Sequence, residues 1–433
     1  MKSTVTHCNE YAQVSRRAFL SRGMQAAAAM FAGPRLWTMP EWMPRIKLAD
    51  PHVGPRGDTL VCVFLRGGAD GLNMVVPHGD DAYYDLRPTL GIPRPDALSA
   101  SAKTVDLDGF FGLHPALASL SHIYQAGDVA FVHATGSPDE TRSHFEAMDL
   151  MERGVTQNGD YSGWLARHLA TLDTGNESAL RAVGVGEVLP ASLTGTVSAT
   201  ALQAIADYHL HGRDERIGDM QTLLAALYNQ QEDVLTAVAN QTFAAIDVLS
   251  KVDTEQPGNG SAYPERDFGR ALQTVAQLIK ADVGLEVACI DLVGWDTHVA
   301  QGATEGPMPN LMSRLAAGLT AFYEDLQSQM DGITLVVMSE FGRRANENGG
   351  LGTDHGHGNM MMIMGGGING GQVFADWPGL QPEQLTGPGD LTITTDYRDI
   401  LGELLRKRLN NPQITAVFPN YAVNEIGLAV PRT

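Results

Sequence analysis

The chain has 433 residues, 43% hydrophobic and 18% charged, a globular rather than disordered balance with room for one large domain and an inserted piece. Its formal net charge of −20 disfavours nucleic acid and anionic lipid as partners. No apolar run reaches the roughly 18 residues of a membrane span.

Taken in chain order, the first element is a leader. "SRRAFL" (15–20) places Arg16 and Arg17 before the alanine-rich "MQAAAAMFAG", which resembles a twin-arginine export signal. That implies passage through the twin-arginine export machinery to the periplasm or beyond. Residues 1–48 are therefore set aside as signal and linker, and 49–433 are expected to fold. Without the leader the net charge is about −25. Cys8 lies in the leader, whereas Cys62 in "LVCVFL" and Cys289 in "EVACIDL" sit in apolar runs and are expected as buried thiols.

Five short apolar runs have strand character: 59–65, 128–134, 285–292, 333–339 and 360–366. Between them lie helical patterns at 113–127, 265–282, 311–330 and 396–409. Such alternation predicts an α/β fold, with a mostly parallel central sheet flanked by helices on both faces. Residues 196–255 read as helical with little strand character, so a helical insertion is expected there, followed by a loop over 255–264.

In open α/β sheets, ligands bind beyond the carboxyl ends of the strands. The first strand leads into "RGGADGLN" with Asp70. The second leads into "TGSPDETRSHFEAMD", where Thr141, Ser143 and His144 open a helix. The third ends in "GWDTH" with Asp296 and His298, and the fourth in "SEFGRR" with Glu340 and Arg343. Before the last strand stands "TDHGHGN", with Asp354, His355 and His357.

Each has a plain structural reading. Asp70 suits a glycine turn, Ser143 with Glu146 fits an S-x-x-E capping box, and Asp296 and His298 could bond locally. His78, His114 and His168 are expected to be structural, "LHPAL" reading as a helix start and "WLARHL" as an amphipathic helix. What favours chemistry is that four separate strand ends each carry a carboxylate or a histidine. In extended chain, residues i and i+2 point the same way, so Asp296 with His298, and His355 with His357, form two pincers. Mixed imidazole and carboxylate ligands suit Zn²⁺, Mn²⁺ or Fe²⁺. A hydroxyl at a helix start, Ser143 or Thr141, would act as nucleophile, with Arg142 or Arg343 holding an anionic group.

The order of these parts resembles the alkaline phosphatase and sulfatase superfamily. Within it, the chain is similar to a bacterial family of exported proteins of unknown function that share "RGGADGLN", "TRSHFEAMD", "GWDTH", "SEFGR" and "DHGHGN". The resemblance implies an alkaline phosphatase-like fold and one or two divalent ions, zinc or manganese. It makes Asp70 and Glu340 ligands of one ion, and Asp296, His298 and a histidine of "DHGHG" (His355 or His357) ligands of the other. Ser143 is the implied nucleophile. Two departures stand out: "SPDETRSH" lacks the sulfatase signature, and Glu340–Phe341 follows Ser339 where the superfamily carries an Asp-His pair.

These readings lead to a metal-dependent hydrolase or phosphotransferase acting on a small anionic ester in the periplasm. The alternatives are a non-catalytic anion- or partner-binding protein with a degenerate site, and a metal-centred redox protein. Dinucleotide binding is excluded because "RGGADG" lacks the G-x-G-x-x-G spacing.

Overall fold

A computed structural model of the chain describes residues 57–202, 242–249 and 262–432, apart from positions 99, 158, 160, 173, 177, 187, 196–198 and 247. The expected twin-arginine leader and most of the expected helical insertion lie outside these residues. The described residues within 49–209 and 244–433 form one compact unit, which holds the sheet, its helices and the candidate site.

Nine strands make the main sheet: β1 (Thr59–Arg66), β2 (Val129–Gly136), β3 (Ala182–Val185), β4 (Thr200–Leu202), β5 (Val287–Val293), β6 (Ile333–Met338), β7 (Asn359–Met364), β8 (Val373–Phe374) and β9 (Thr395–Asp396). Their order is β8-β2-β7-β6-β1-β5-β3-β4, with β9 also pairing β2. The central strands are continuous apolar runs because both of their faces are covered. Along β1, Val61, Val63 and Leu65 enter one core, and Leu60, Cys62 and Phe64 enter the other.

Five helices of eight or more residues are present among the described residues: α1 (His144–Arg153), α2 (Trp164–Thr171), α3 (Asp267–Lys280), α4 (Pro307–Asp325) and α5 (Tyr397–Lys407). Leu272 and Val275 of α3 and Leu315 and Phe322 of α4 cover the first face. Leu165 of α2 and Ile400 and Leu404 of α5 cover the second. The expected α/β architecture, with helices on both faces of a mostly parallel sheet, is therefore present.

Three details depart from the sequence expectation. The pattern at 113–127 opens as a 3-10 helix, Pro115–Leu120, with His114 Nδ1 accepting from the Ala116 amide (3.0 Å), and only Ser121–Ala126 is α-helical. Thr200–Leu202, at the start of the expected helical insertion, is instead edge strand β4, paired in parallel with β3.

The third departure positions the site. β7 runs antiparallel to both neighbours, β2 and β6, while β1, β5 and β6 run parallel to one another. Its amino end therefore lies level with the carboxyl ends of the other strands. "TDHGHGN" precedes β7 yet reaches the same edge of the sheet as the segments that follow β1, β5 and β6.

Candidate metal centre

The site is assembled by close backbone approach. Gly67 has φ 122°, and a Cβ there would lie 2.6 Å from the Asp296 amide nitrogen, so only glycine lets the turn after β1 touch the segment after β5. Gly356, between the two histidines, would place a Cβ 2.4 Å from the Arg343 carbonyl carbon. These glycines serve packing and carry no ligand themselves.

Arg343 joins the three segments. It is 1% exposed, and its guanidinium donates to the carbonyls of Gly67, Gly68 (2.6 Å), Trp295 (3.1 Å) and Thr353 (2.8 Å) and to Asp296 Oδ1 (2.7 Å). Its donors are thus committed within the protein. Arg343, expected to hold a substrate anion, here turns its guanidinium to Asp296 and to backbone carbonyls.

Around Asp296 three imidazoles converge. Its Oδ1 lies 3.0 Å from His298 Nε2, 3.1 Å from His355 Nε2 and 3.3 Å from His144 Nε2. His144, Asp296 and His355 offer ligand atoms that all lie within 4.8 Å of one another. Burial would raise the Asp296 carboxyl, but the bonds from Arg343 and His355 outweigh it and hold the group down at about 2. Asp296 is an anion at any physiological pH.

The outer nitrogen of each imidazole is also engaged. His144 Nδ1 meets Glu340 Oε1 at 2.7 Å, His355 Nδ1 donates to the Arg142 carbonyl at 2.9 Å, and His298 Nδ1 faces Asp354 Oδ1 at 3.5 Å. Asn348 steadies the last pair, donating to Asp354 Oδ1 (2.9 Å) and to the His298 carbonyl (3.1 Å). With a proton on each Nδ1, the three Nε2 atoms are free to turn their lone pairs inward, the tautomer that a bound metal would select. The hydrogen bond to Glu340 raises the pKa of His144, and desolvation lowers that of His355.

These residues fit a divalent ion on two observations. His144 Nε2 is buried and has no hydrogen-bond partner, although Asp296 stands close. The Nε2 atoms of His298 and His355 are 2.9 Å apart, a contact that one shared proton satisfies and that a bound cation would satisfy in its place.

The expected ligands therefore divide. Asp296, His298 and His355 come together, joined by His144, which the sequence marks only as part of a helix start. Glu340 is 2% exposed and stands behind His144, its other bonds coming from the Gly67 amide (2.8 Å) and the Ser339 hydroxyl (2.9 Å). Asp70 does not reach the cluster: its Oδ2 accepts from Arg87 (2.6 Å) and Gln301 (2.7 Å) in a buried network. His357 Nε2 turns to the Asp139 carbonyl. Of the expected Asp70–Glu340 and Asp296–His298 groups, only the second gathers further histidines, His144 and His355, among the described residues.

Ser143 is the exposed N-cap residue of α1, but its hydroxyl makes no capping bond. Glu146 instead accepts from Thr141 Oγ1 at 2.9 Å, so the S-x-x-E capping box is not formed. Arg142 pairs with Asp390, while Arg344, half-exposed, meets Asp354 only at 3.9 Å and makes no side-chain hydrogen bond among the described residues. His78 pairs with Asp106, and His168 Nδ1 accepts from Asn411.

A family model described as "Protein of unknown function (DUF1501)" matches residues 58–407. Among curated proteins none matches. Of solved structures, the chain is similar to the sulfatase PsFucS1 from Pseudoalteromonas sp., with 12% identity and a TM-score of 0.37 over 87% of this chain and 74% of that one. It is also similar to the phosphonate monoester hydrolase of Agrobacterium radiobacter (7%, TM-score 0.30, 85% and 78%). A third is the alkaline phosphatase from the Antarctic bacterium TAB5 (8%, TM-score 0.29, 74% and 95%).

Proposed function

We propose that this chain, which belongs to the DUF1501 family, is a periplasmic divalent-metal hydrolase or phosphotransferase acting on a phosphate or related anionic ester. The observation that carries the reading is the convergence of three imidazole Nε2 atoms on Asp296 Oδ1, each imidazole fixed from behind by Glu340, Asp354 or the Arg142 carbonyl. His144, Asp296, His298 and His355 would hold the ion, and zinc, manganese or iron suits three imidazoles and a carboxylate. A bound divalent ion supplies Lewis-acid polarisation of an ester oxygen.

The protein's own residues supply the remainder. Arg343 keeps Asp296 aimed and anionic. Glu340 holds the His144 proton on Nδ1, away from the centre. Ser143, exposed and next to His144, offers the nucleophilic hydroxyl. Arg344 takes the anion-holding role that the sequence suggests for Arg343, because its guanidinium is not committed to backbone carbonyls.

The test is metal analysis of the purified full chain together with turnover of phosphomonoester, phosphodiester and sulfate-ester substrates. Near-stoichiometric metal that is lost in His144→Ala and His355→Ala, with turnover lost in Ser143→Ala while metal is retained, supports the reading. Full metal retention in both histidine variants removes its foundation. A second reading, a redox centre, draws on the same ligand set, which iron and manganese also take. Redox-dependent paramagnetic resonance of the bound metal, without ester turnover, would favour it.

A further inference from the structure

His298 and His355 come from different loops, the first after β5 and the second before β7, and each loop carries a threonine beside its ligands. Thr297 stands between Asp296 and His298, and Thr353 stands two residues before His355. Both hydroxyls donate to one acceptor, Gln301 Oε1, at 3.0 Å from Thr297 and 2.7 Å from Thr353. Gln301 is fully buried, so its amide must find its partners inside the protein. Its other end does so, Nε2 donating to Asp70 Oδ2 at 2.7 Å.

The direction of the amide follows from its neighbours. A carboxylate only accepts, so the amide nitrogen faces Asp70 and the amide oxygen faces the two hydroxyls. Asp70 is itself held by Arg87, which donates to Asp70 Oδ2 and Asn73 Oδ1 (2.6 Å each) and to the carbonyls of Arg344 and Ala345 (2.9 Å each). A chain of bonds therefore runs from the buried Arg87–Asp70 ion pair through Gln301 to both ligand-bearing loops. Both ends of the amide are committed, so Gln301 acts on the cluster through the two threonines.

The backbone secures the same junction. The Ala300 amide donates to the Gly350 carbonyl and the Gln301 amide to the Leu351 carbonyl, each at 2.9 Å. Ala300 has φ 48° and Leu351 φ 58°, a region that residues bearing a side chain rarely adopt and that persists where surrounding contacts over-determine it. Strain is thus held at the point where the two loops are joined.

We infer that Gln301 is a positioning residue that sets the spacing between the Asp296–His298 pincer and His355, with Asp70 as its anchor. This role rests on the metal-hydrolase reading above. Ligand atoms tolerate only small departures from their bonding distance to an ion, so fixing the two loops against each other fixes how tightly an ion is held.

The test is chelator competition for zinc, joined to visible absorption of the cobalt(II)-loaded full chain, which reports ligand geometry. Gln301→Met keeps the size and removes both bonding ends. Thr353→Val keeps the shape and removes one hydroxyl, which Thr353→Ser restores. We expect zinc affinity to fall about tenfold or more in Gln301→Met and by a smaller factor in Thr353→Val, with Thr353→Ser near wild type. The cobalt absorption should change in the first two variants and not in the third. Wild-type zinc affinity and cobalt absorption in folded Gln301→Met, whatever its Tm, overturn the inference and leave the metal-hydrolase reading standing, since the glutamine then only fills the core. Where that variant does not fold, equal zinc affinities in Thr353→Val and Thr353→Ser overturn it instead. A wild-type chain that retains neither zinc nor cobalt overturns the metal-hydrolase reading and the inference with it.

Discussion

The Nε2 atoms of His298 and His355 stand 2.9 Å apart while the Nδ1 atom of each is directed at an oxygen behind it. In the tautomer that ligates a metal the two lone pairs oppose each other and a cation takes the place of the proton that otherwise joins them, so a bound metal is expected to stabilise the fold as well as serve chemistry. We expect chelation to lower Tm by several degrees and zinc to restore it; zinc at a thousandfold excess over its Kd contributes about 4 kcal/mol. A melting curve indifferent to chelator and to zinc would contradict this.

Glu340 acts through His144. Replacing it with glutamine keeps the size but removes the charge that fixes the Nδ1 proton, and we expect metal affinity to weaken by about 10–100-fold. Competition with a chromophoric chelator measures this directly. Unchanged affinity in Glu340→Gln would mean that Glu340 only fills space.

Arg343 is expected to govern stability rather than substrate affinity. Arg343→Lys cannot reproduce the planar fork that joins Gly67, Gly68, Trp295, Thr353 and Asp296, and Arg343→Met removes the donor that these groups share. Loss of about 3–5 kcal/mol in denaturant unfolding is expected for the methionine variant. Wild-type unfolding combined with a raised KM would return Arg343 to the anion-binding role.

Arg344 should show the opposite pattern. With only a 3.9 Å ion pair to Asp354, Arg344→Gln is expected to leave unfolding within about 0.5 kcal/mol of wild type. In steady-state kinetics on an anionic ester, KM should rise several-fold with little change in kcat. A variant with unaltered KM would exclude substrate contact.

Two buried imidazoles should set the acid limit of stability. Burial lowers His133 from 6.5 to about 4 and His168 to about 3, the latter helped by Arg181. His133 Nε2 donates to the Val75 carbonyl and its Nδ1 accepts from the Ala134 amide, a pattern that only the neutral ring satisfies. Because the folded values lie below the unfolded one, the unfolded chain binds more protons in between. The stabilisation is complete above about pH 6.5 and is lost as pH falls toward 4 and 3, at about 1.4 kcal/mol per unit for each histidine. His168→Gln should flatten the decline of Tm between pH 6.5 and 4, and an unchanged slope would rule out its contribution.

The central strands were legible because burial on both faces writes them as unbroken apolar runs, as in "TLVCVFL" and "ITLVVMS". The direction of β7 was not legible, since composition carries no sign for parallel or antiparallel pairing, and its reversal is seen only in the register of Met362 with Val337. That Asp296, His298 and His355 lie together was legible because two strand-edge segments each carry a histidine near an acid. That His144 joins them was not, because the adjacent Ser143 offers a simpler reading as cap or nucleophile. Asp70 could not be judged from its glycine turn, because Arg87, which occupies its carboxylate, lies 17 residues away with no periodic relation to it.

Because β7 pairs antiparallel with β6, residues 339–358 are the connection of a hairpin, anchored at both ends on the sheet. That one stretch carries His355, the Glu340 and Asp354 carboxylates behind His144 and His298, and the Arg343 fork. Half of the centre is therefore a self-contained cassette whose ends are fixed by local pairing. As a graft between chains of this architecture it would have to meet the turn at Gly67 and Gly68, the segment Trp295–His298, and Arg142 with His144.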